Sequence, residues 1–285
     1  MARLYVVATP IGNLNDLTPR MRQALEECDL VAAEDTRVTM KLMNRFDLHK
    51  PMISCHRHNE DAKSGGIVEK MRTEDLTVAL TCDAGTPGIS DPGHVLVAAC
   101  WDAGIPVVPV CGPSAVATAL SAAGFDAREF AFYGFLPREK GPLRDKLVSI
   151  RESGIPVAVL YESPHRVVKL VSEIGALWPE CRLCVCCDLT KKYELMLRGT
   201  CSQVLAALSE NPNVEKGEYC LVVELPPWEK PAPVEKTELS PELFLLSRMM
   251  EGHKLDSAGD AALEAGYPRN AVKRAKIAIK RRFDL

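Results

Sequence analysis

Several short stretches hold residue types that can do chemistry. Glu34-Asp35-Thr36-Arg37 sets two carboxylates beside a guanidinium, a group able to accept a proton and hold an anion. His56-Arg57-His58-Asn59-Glu60 offers two imidazoles two residues apart. Those imidazoles could join Glu34 and Asp35 around a metal. One H-x-H pair in a loop is a weak signature, and no metal is expected. Thr81 to Gly93, TCDAGTPGISDPG, packs three glycines, two prolines and two aspartates into thirteen residues. It is too punctuated for a strand and too stiff for a linker. Lys191, Lys192 and Lys216 can bind phosphate or lower a hydroxyl pKa, although such lysines are usually just solvated.

The stiff loop does not read as a polyphosphate cradle. The chain has no G-x-x-x-x-G-K-[ST], and no G-x-G-x-x-G follows its first strand. Proline also removes the backbone donors that such a cradle needs. A small ligand with an amino acid part and an adenosine part fits better. Asp83 would accept from an ammonium or from hydroxyls, and Gly85 and Gly88 would let the backbone come close. Asp91-Pro92 reads as the N-cap and first turn of the next helix.

Alternating strands and helices place these stretches. Strands are expected at Leu4–Ala8, Asp29–Ala33, Met52–Cys55, Leu76–Thr81 and Pro106–Val110. Helices are expected at Thr18–Cys28 (Thr18 capping, Pro19 in the first turn), Arg37–Phe46, Ala62–Met71, Val95–Trp101 and Ser114–Ala123. This alternation implies a mostly parallel sheet over residues 1–124, with helices on both faces. Ligands bind outside the carboxyl ends of such strands, where the polar stretches fall on one rim. Residues 125–225 read as a second α/β domain with a mixed sheet. Its strands are Phe130–Phe135, Val157–Tyr161, Leu183–Leu189, Tyr193–Leu197 and Tyr219–Leu225, and its helices Gly141–Arg151, His165–Leu177 and Cys201–Leu208. Residues 226–240, with Pro226, Pro227, Pro231 and Pro233, read as an extended linker. Helices at Pro241–Met250, at Ser257–Glu264 and from Pro268 to about Arg282 follow. Gly266 to Leu285 carries seven basic residues and one acid. A basic helical module resembling a helix-turn-helix and a solvated terminal helix both fit that pattern.

Composition sets outer limits. The 285 residues are 47% hydrophobic and 26% charged, enough for a real core. A formal net charge of −3 gives no molecule-wide basic field, which leaves nucleic acid to local patches. No apolar run approaches a membrane span, and the apolar N-terminal run is too short for a signal peptide. Eleven irregularly spaced cysteines suit a reducing cytoplasm, the expected location. Cys181, Cys184, Cys186 and Cys187 lie in an apolar run and read as a buried strand rather than a zinc site.

The longer motifs resemble one family. TPIGNLND (Thr9–Asp16), AAEDTR (Ala32–Arg37), HNE (His58–Glu60) and DAGTPGISDPG (Asp83–Gly93) are similar to the ribosomal small-subunit methyltransferase I family. So are GPSA (Gly112–Ala115), LSAAG (Leu120–Gly124), GFLP (Gly134–Pro137), YESPHR (Tyr161–Arg166), LTK (Leu189–Lys191) and KGEY (Lys216–Tyr219). They fall in the family's order across about residues 4 to 225. The resemblance implies a tetrapyrrole-methylase fold, two α/β domains with S-adenosylmethionine in the cleft between them. It implies methyl transfer to the 2′-hydroxyl of a cytidine in the decoding region of 16S ribosomal RNA, within the 30S subunit, by a homodimer. It implies cofactor contacts at Pro10, Asp83, Gly85, Thr86, Ser114, Ala115, Tyr161 and Leu189. The chain departs at Cys187-Asp188, where Arg-Glu is usual, and at Cys82, where serine is common.

On the substrate side, Glu34, Arg37, Asn59 and Glu60 are expected to bind. Asp35, His58 and Lys191 are the candidates for catalysis: Asp35 or His58 would take the proton, and Arg37 would hold a phosphate. Two rival functions remain. A methyltransferase of the same fold acting on a tetrapyrrole would have no use for a basic arm. A non-catalytic RNA-binding protein would have no cofactor affinity.

Overall fold

A computed structural model of the chain describes residues 1–227 and 239–283. The chain divides into two compact units, Met1–Trp228 and Glu229–Leu285.

The first unit holds two five-stranded sheets. In the first, β1 (Arg3–Val7), β2 (Leu30–Ala33), β3 (Met52–Ser54), β4 (Thr77–Thr81) and β5 (Val107–Val110) pair in the order β3-β2-β4-β1-β5, all parallel. Alternation along each strand fills two cores. Leu4, Val78 and Leu80 face α3 (Glu60–Glu74) and α4 (His94–Asp102). Tyr5, Val7 and Ala79 face α1 (Pro19–Glu27) and α2 (Thr36–Arg45). The helix starts follow from sequence: the Thr18 side chain accepts from Met21 N–H, with Pro19 in the first turn.

In the second sheet, β6 (Phe130–Phe135), β7 (Val157–Glu162), β8 (Arg182–Cys187), β9 (Leu195–Thr200) and β10 (Tyr219–Glu224) pair in the order β6-β7-β10-β8-β9. Only β6 and β7 run parallel, so the sheet is mixed, with β8 and β9 an antiparallel pair. One face packs on α6 (Lys140–Glu152), α7 (Val167–Leu177) and α8 (Cys201–Glu210). The other packs on α5 (Ala115–Ala123), which leaves the first sheet and seats Val116, Ala119 and Ala123 on the second. The buried cysteines split by strand alternation: Cys184 and Cys186 face α5, while Cys187 faces the opposite core.

Two strand ends move. The strand expected to run to Leu189 stops at Cys187, because Asp188 (φ 50°) and Thr190 (φ 68°) turn through left-handed backbone. The strand expected from Tyr193 begins at Leu195. The expected Asp91 cap is also corrected. Helix α4 starts at His94, with Gly93 in the cap position at φ 125°. A side chain at Gly93 would lie 2.8 Å from Leu80 Cδ2, so the position needs glycine.

The second unit contains α9 (Pro241–Met250), α10 (Leu255–Glu264) and α11 (Arg269–Phe283) around Leu245, Ala258, Ala262, Val272, Ala275 and Ile279. The 226–240 linker reading falls largely on 228–238, outside the described residues. Among the described residues no helix is long and apolar enough to cross a membrane.

Candidate active site

A cavity of about 440 Å³ lies in the first unit, lined by strand ends and loops of both sheets. Its size is in the usual range for small-ligand sites. The loops of the first sheet are tied to one another. Thr9 and Gly85 exchange backbone hydrogen bonds of 2.7 and 3.0 Å, the Thr9 hydroxyl donates to the Cys82 carbonyl, and the Thr86 hydroxyl donates to that of Pro113. The stiffness of the Thr81–Gly93 loop is thus anchored stiffness: two neighbouring strand ends are stapled across it.

Three carboxylates face the cavity from this side. Glu34 Oε2 accepts from Asp83 N–H (3.2 Å), and Asp83 Oδ1 accepts from Asp35 N–H (3.2 Å). Burial pushes the pKa of Glu34 up, with Asp83 and Asp91 adding like-charge repulsion. Partial burial raises Asp83, and burial raises Asp91 against a hydrogen bond from the Cys82 thiol. Such a set prefers a cation beside it. The second sheet supplies Phe135, Tyr161 and Leu189 opposite these acids.

Most of the residues expected to hold a ligand come together here. Asp83, Gly85, Thr86, Ser114, Ala115, Tyr161, Leu189 and Glu34 all line the cavity. Ser114 also caps α5 by accepting from Ala117 N–H. Pro10 does not line it; its neighbour Ile11 does.

The remaining residues lie elsewhere. Asp35 caps α2 and is clasped by the Arg37 guanidinium (2.6 Å). Hydrogen bonds from Arg37 hold its pKa down to about 2, so it is a poor base. Arg37 itself is 88% exposed. Asn59 is spent on local structure, accepting from His56 N–H and donating toward Ser54. Glu60, expected to meet substrate, is 3% exposed. Its Oε2 accepts from Gly93 N–H at 2.7 Å, capping α4 from a distant part of the chain. That contact supplies the carboxylate that Asp91 was expected to provide. His58 is exposed, next to Arg57, which donates to the Ser90 carbonyl at 2.9 Å. Lys191 ion-pairs with Asp188 (2.9 Å) and Glu218 (3.0 Å). Burial pulls its pKa down, but the two carboxylates more than offset that, so it stays charged.

Sequence reasoning missed several lining residues: Asp91, Ile89, Phe135, Glu162, Glu218 and Cys220. Most sat in motifs already quoted, among them GFLP, YESPHR and KGEY. Glu162 is buried, accepts from Ser163 N–H and ion-pairs with Arg166 at 3.1 Å.

Comparison with known proteins decides the family. Residues 3–205 match the profile of the Tetrapyrrole (Corrin/Porphyrin) Methylases. A Synechocystis protein named Ribosomal RNA small subunit methyltransferase I is 43% identical over 224 residues, 78% of this chain and 79% of the relative. The chain belongs to the ribosomal RNA small subunit methyltransferase I family. A second relative in that family, from Haemophilus influenzae, is 40% identical and spans 94% of both chains, so the match extends into the second unit. For the fold, a crystal structure of uroporphyrin-III C-methyl transferase from Thermus thermophilus, complexed with S-adenyl homocysteine, superposes with a TM-score of 0.53. It is 17% identical and covers 78% of this chain and 97% of that one. The two-sheet fold expected of the ribosomal RNA small subunit methyltransferase I family is therefore the fold observed. Among the described residues no cluster of three His, Cys, Asp or Glu side chains could hold a metal ion.

Proposed function

We propose that the protein transfers a methyl group from S-adenosylmethionine to the ribose 2′-hydroxyl of a cytidine in the decoding region of 16S ribosomal RNA. The observation that carries this reading is the cavity wall of Glu34, Asp83 and Asp91, in a chain of this family. The residues fit the cofactor: the carboxylates suit its ammonium and sulfonium charges, and Tyr161 and Leu189 suit its adenosine part. Bound there, S-adenosylmethionine supplies an electrophilic methyl carbon on sulfur.

The chain's own work is to align and to exclude water. Asp83, Gly85, Thr86, Ser114 and Ala115 hold the cofactor side, on loops stapled through Thr9. Orientation of this kind contributes on the order of 7 kcal/mol or more in favourable cases. On the substrate side, Arg37 offers an exposed guanidinium for a phosphate. Asp35 serves to orient Arg37, and Lys191 acts as a fixed cation. Proton acceptance falls to His58, whose side chain is exposed on the loop after β3.

The second unit supports RNA over a small tetrapyrrole. Arg269, Lys273, Arg274, Lys280, Arg281 and Arg282 are all exposed on α11. We assign residues 1–124 and 125–225 to the two catalytic domains, 226–240 to a linker, and 241–285 to an RNA-gripping module. The substrate is the assembled 30S subunit, the enzyme is a homodimer, and it works in the cytoplasm. The test is transfer of labelled methyl to 30S subunits that lack the modification, with a tetrapyrrole precursor as the parallel substrate and mapping of the methylated nucleotide. Label on the cytidine ribose is the expected result. Label on the tetrapyrrole alone, or none on either substrate, would sink the reading.

A further inference from the structure

Strand β6 contains an irregularity that re-aims one side chain. Its pairing with β7 runs Phe132 to Val159, then shifts, so that Gly134 pairs with Leu160 and Phe135 with Tyr161. Tyr133 is the extra residue, and Gly134 takes φ 61°. In a regular strand, residues three apart point to opposite faces. The bulge instead brings Phe132 and Phe135 onto the same ring: Tyr161 meets Phe132 at 4.9 Å and Phe135 at 5.8 Å, both edge-to-face. Phe132 closes the inner side of this row. Phe135, at the outer end, lines the cavity yet is 61% exposed.

The segment carrying Phe135 is braced. Arg166 donates to the Leu136 and Pro137 carbonyls at 3.2 and 3.0 Å, and its charge is balanced by buried Glu162. Ile89, 46% exposed, lines the same cavity from the first sheet's side. An aromatic face held rigidly at the mouth of a methyl-donor cavity, with an aliphatic residue on the other wall, is suited to a flat partner. Enzymes that act on a nucleobase stack it between aromatic and apolar side chains, and a base held in that way also fixes the position of its own ribose.

We propose that Phe135 is the platform on which the target nucleobase stacks, setting its ribose against the methyl donor. This rests on the ribosomal RNA reading above. Phe135 is a positioning residue that touches the base, and its ring face is the property that matters.

The test compares Phe135→Ala, Phe135→Leu and Phe135→Trp in methyl transfer to 30S subunits lacking the modification, with S-adenosylmethionine affinity measured by calorimetry. Loss of one base stack predicts a fall in kcat/KM for the subunit on the order of 10- to 100-fold for alanine. Leucine, which keeps apolar bulk without a ring, should stay within about threefold of alanine, and tryptophan within about threefold of wild type. Cofactor affinity should stay within about twofold in all three, since the stack engages only RNA. Wild-type rates in the alanine or leucine variant would overturn the platform, as would a parallel loss of cofactor affinity. A wild-type enzyme inert on subunits but active on a tetrapyrrole would instead overturn the RNA reading, and the platform with it.

Discussion

The two walls of the cavity are built from different chemistry. The wall from the first sheet is acidic and rigid, with Glu34, Asp83 and Asp91 on loops tied by backbone pairing. The second sheet's side offers apolar contact instead, with Tyr161 and Leu189 for a cofactor and Phe135 at the exposed end, and its two carboxylates are paired, Glu162 with Arg166 and Glu218 with Lys191. One wall sorts ligands by charge, the other by shape. A cation with a flat heterocycle satisfies both, and a polyphosphate satisfies neither.

Substitutions on each wall test that division. Asp83→Ala removes an acid of the charged wall and the acceptor for Asp35 N–H. It should weaken S-adenosylmethionine about 100-fold by calorimetry, as loss of charge-assisted hydrogen bonds does. Binding equal to wild type would remove Asp83 from the site. Acid should act on the same wall without mutation. The pKa values of Glu34, Asp83 and Asp91 are raised, so these groups lose charge at higher pH than ordinary carboxylates. Affinity should fall in a titration series as pH is lowered from 8 toward the carboxylate range, starting above the pH at which ordinary carboxylates lose charge, each tenfold loss being about 1.4 kcal/mol. A flat profile would show that the acids do not face the ligand's charge. Tyr161→Ala, on the other wall, should cost only about three- to tenfold in affinity and leave that pH profile unchanged, because it removes ring contacts and no charge. A profile that flattens would mean that the walls do not act separately.

The smallest effect concerns stability. Asp91 has a folded-state pKa above its ordinary value, so its folded form binds its proton more tightly than the unfolded chain. That stabilisation is complete below the ordinary carboxylate value and is lost as pH rises through the raised one. Asp91→Asn should therefore raise the melting temperature by a few degrees at pH 8 and by nothing at pH 3.5. Calorimetric scans at the two values would show it, and a gain of equal size at both would assign the effect to something other than charge.

The charged wall was largely legible in the sequence, and the aromatic wall was not. Polar residues after β1, β2, β4 and β5 stand out because strand alternation places them on one rim. The cap at Thr18 was legible because it bonds a backbone N–H three residues on; Asp35, Ser114 and Thr200 cap in the same local way, although the sequence pointed to catalysis for Asp35 and to the cofactor for Ser114. Glu60 escapes such reading because it caps α4 through Gly93, 33 residues later. Once Glu60 fills that place, the Asp91-Pro92 pair has no capping to do, and Asp91 is released to the cavity. Phe135 escapes because pleat alternation assigns it to the wrong face until Tyr133 is counted as an extra residue. A glycine inside an aromatic strand, FAFYGF, was the available signal for that bulge. The Asp188–Thr190 turn escaped because an apolar run suggested strand through Leu189, while Asp188 accepts from Glu218 N–H and Thr190 N–H donates to the Glu194 carboxylate, contacts that an apolar pattern does not announce.

Strand β10 is the last strand in the chain yet lies at the centre of its sheet, between β7 and β8. The first sheet has all its strands once residue 110 has been made, whereas the second stays split until residue 224 arrives. During synthesis the protein therefore carries a folded half and an unclosed half with open strand edges, the long-range pairing that folds slowly and invites aggregation. Cys220 and Glu218 reach the cavity only with that strand. In a chain that stops short of it, β8, the strand before Leu189, and the strands bearing Phe135 and Tyr161 are not yet joined, so the second wall is completed only when nearly all of residues 1–224 have been made.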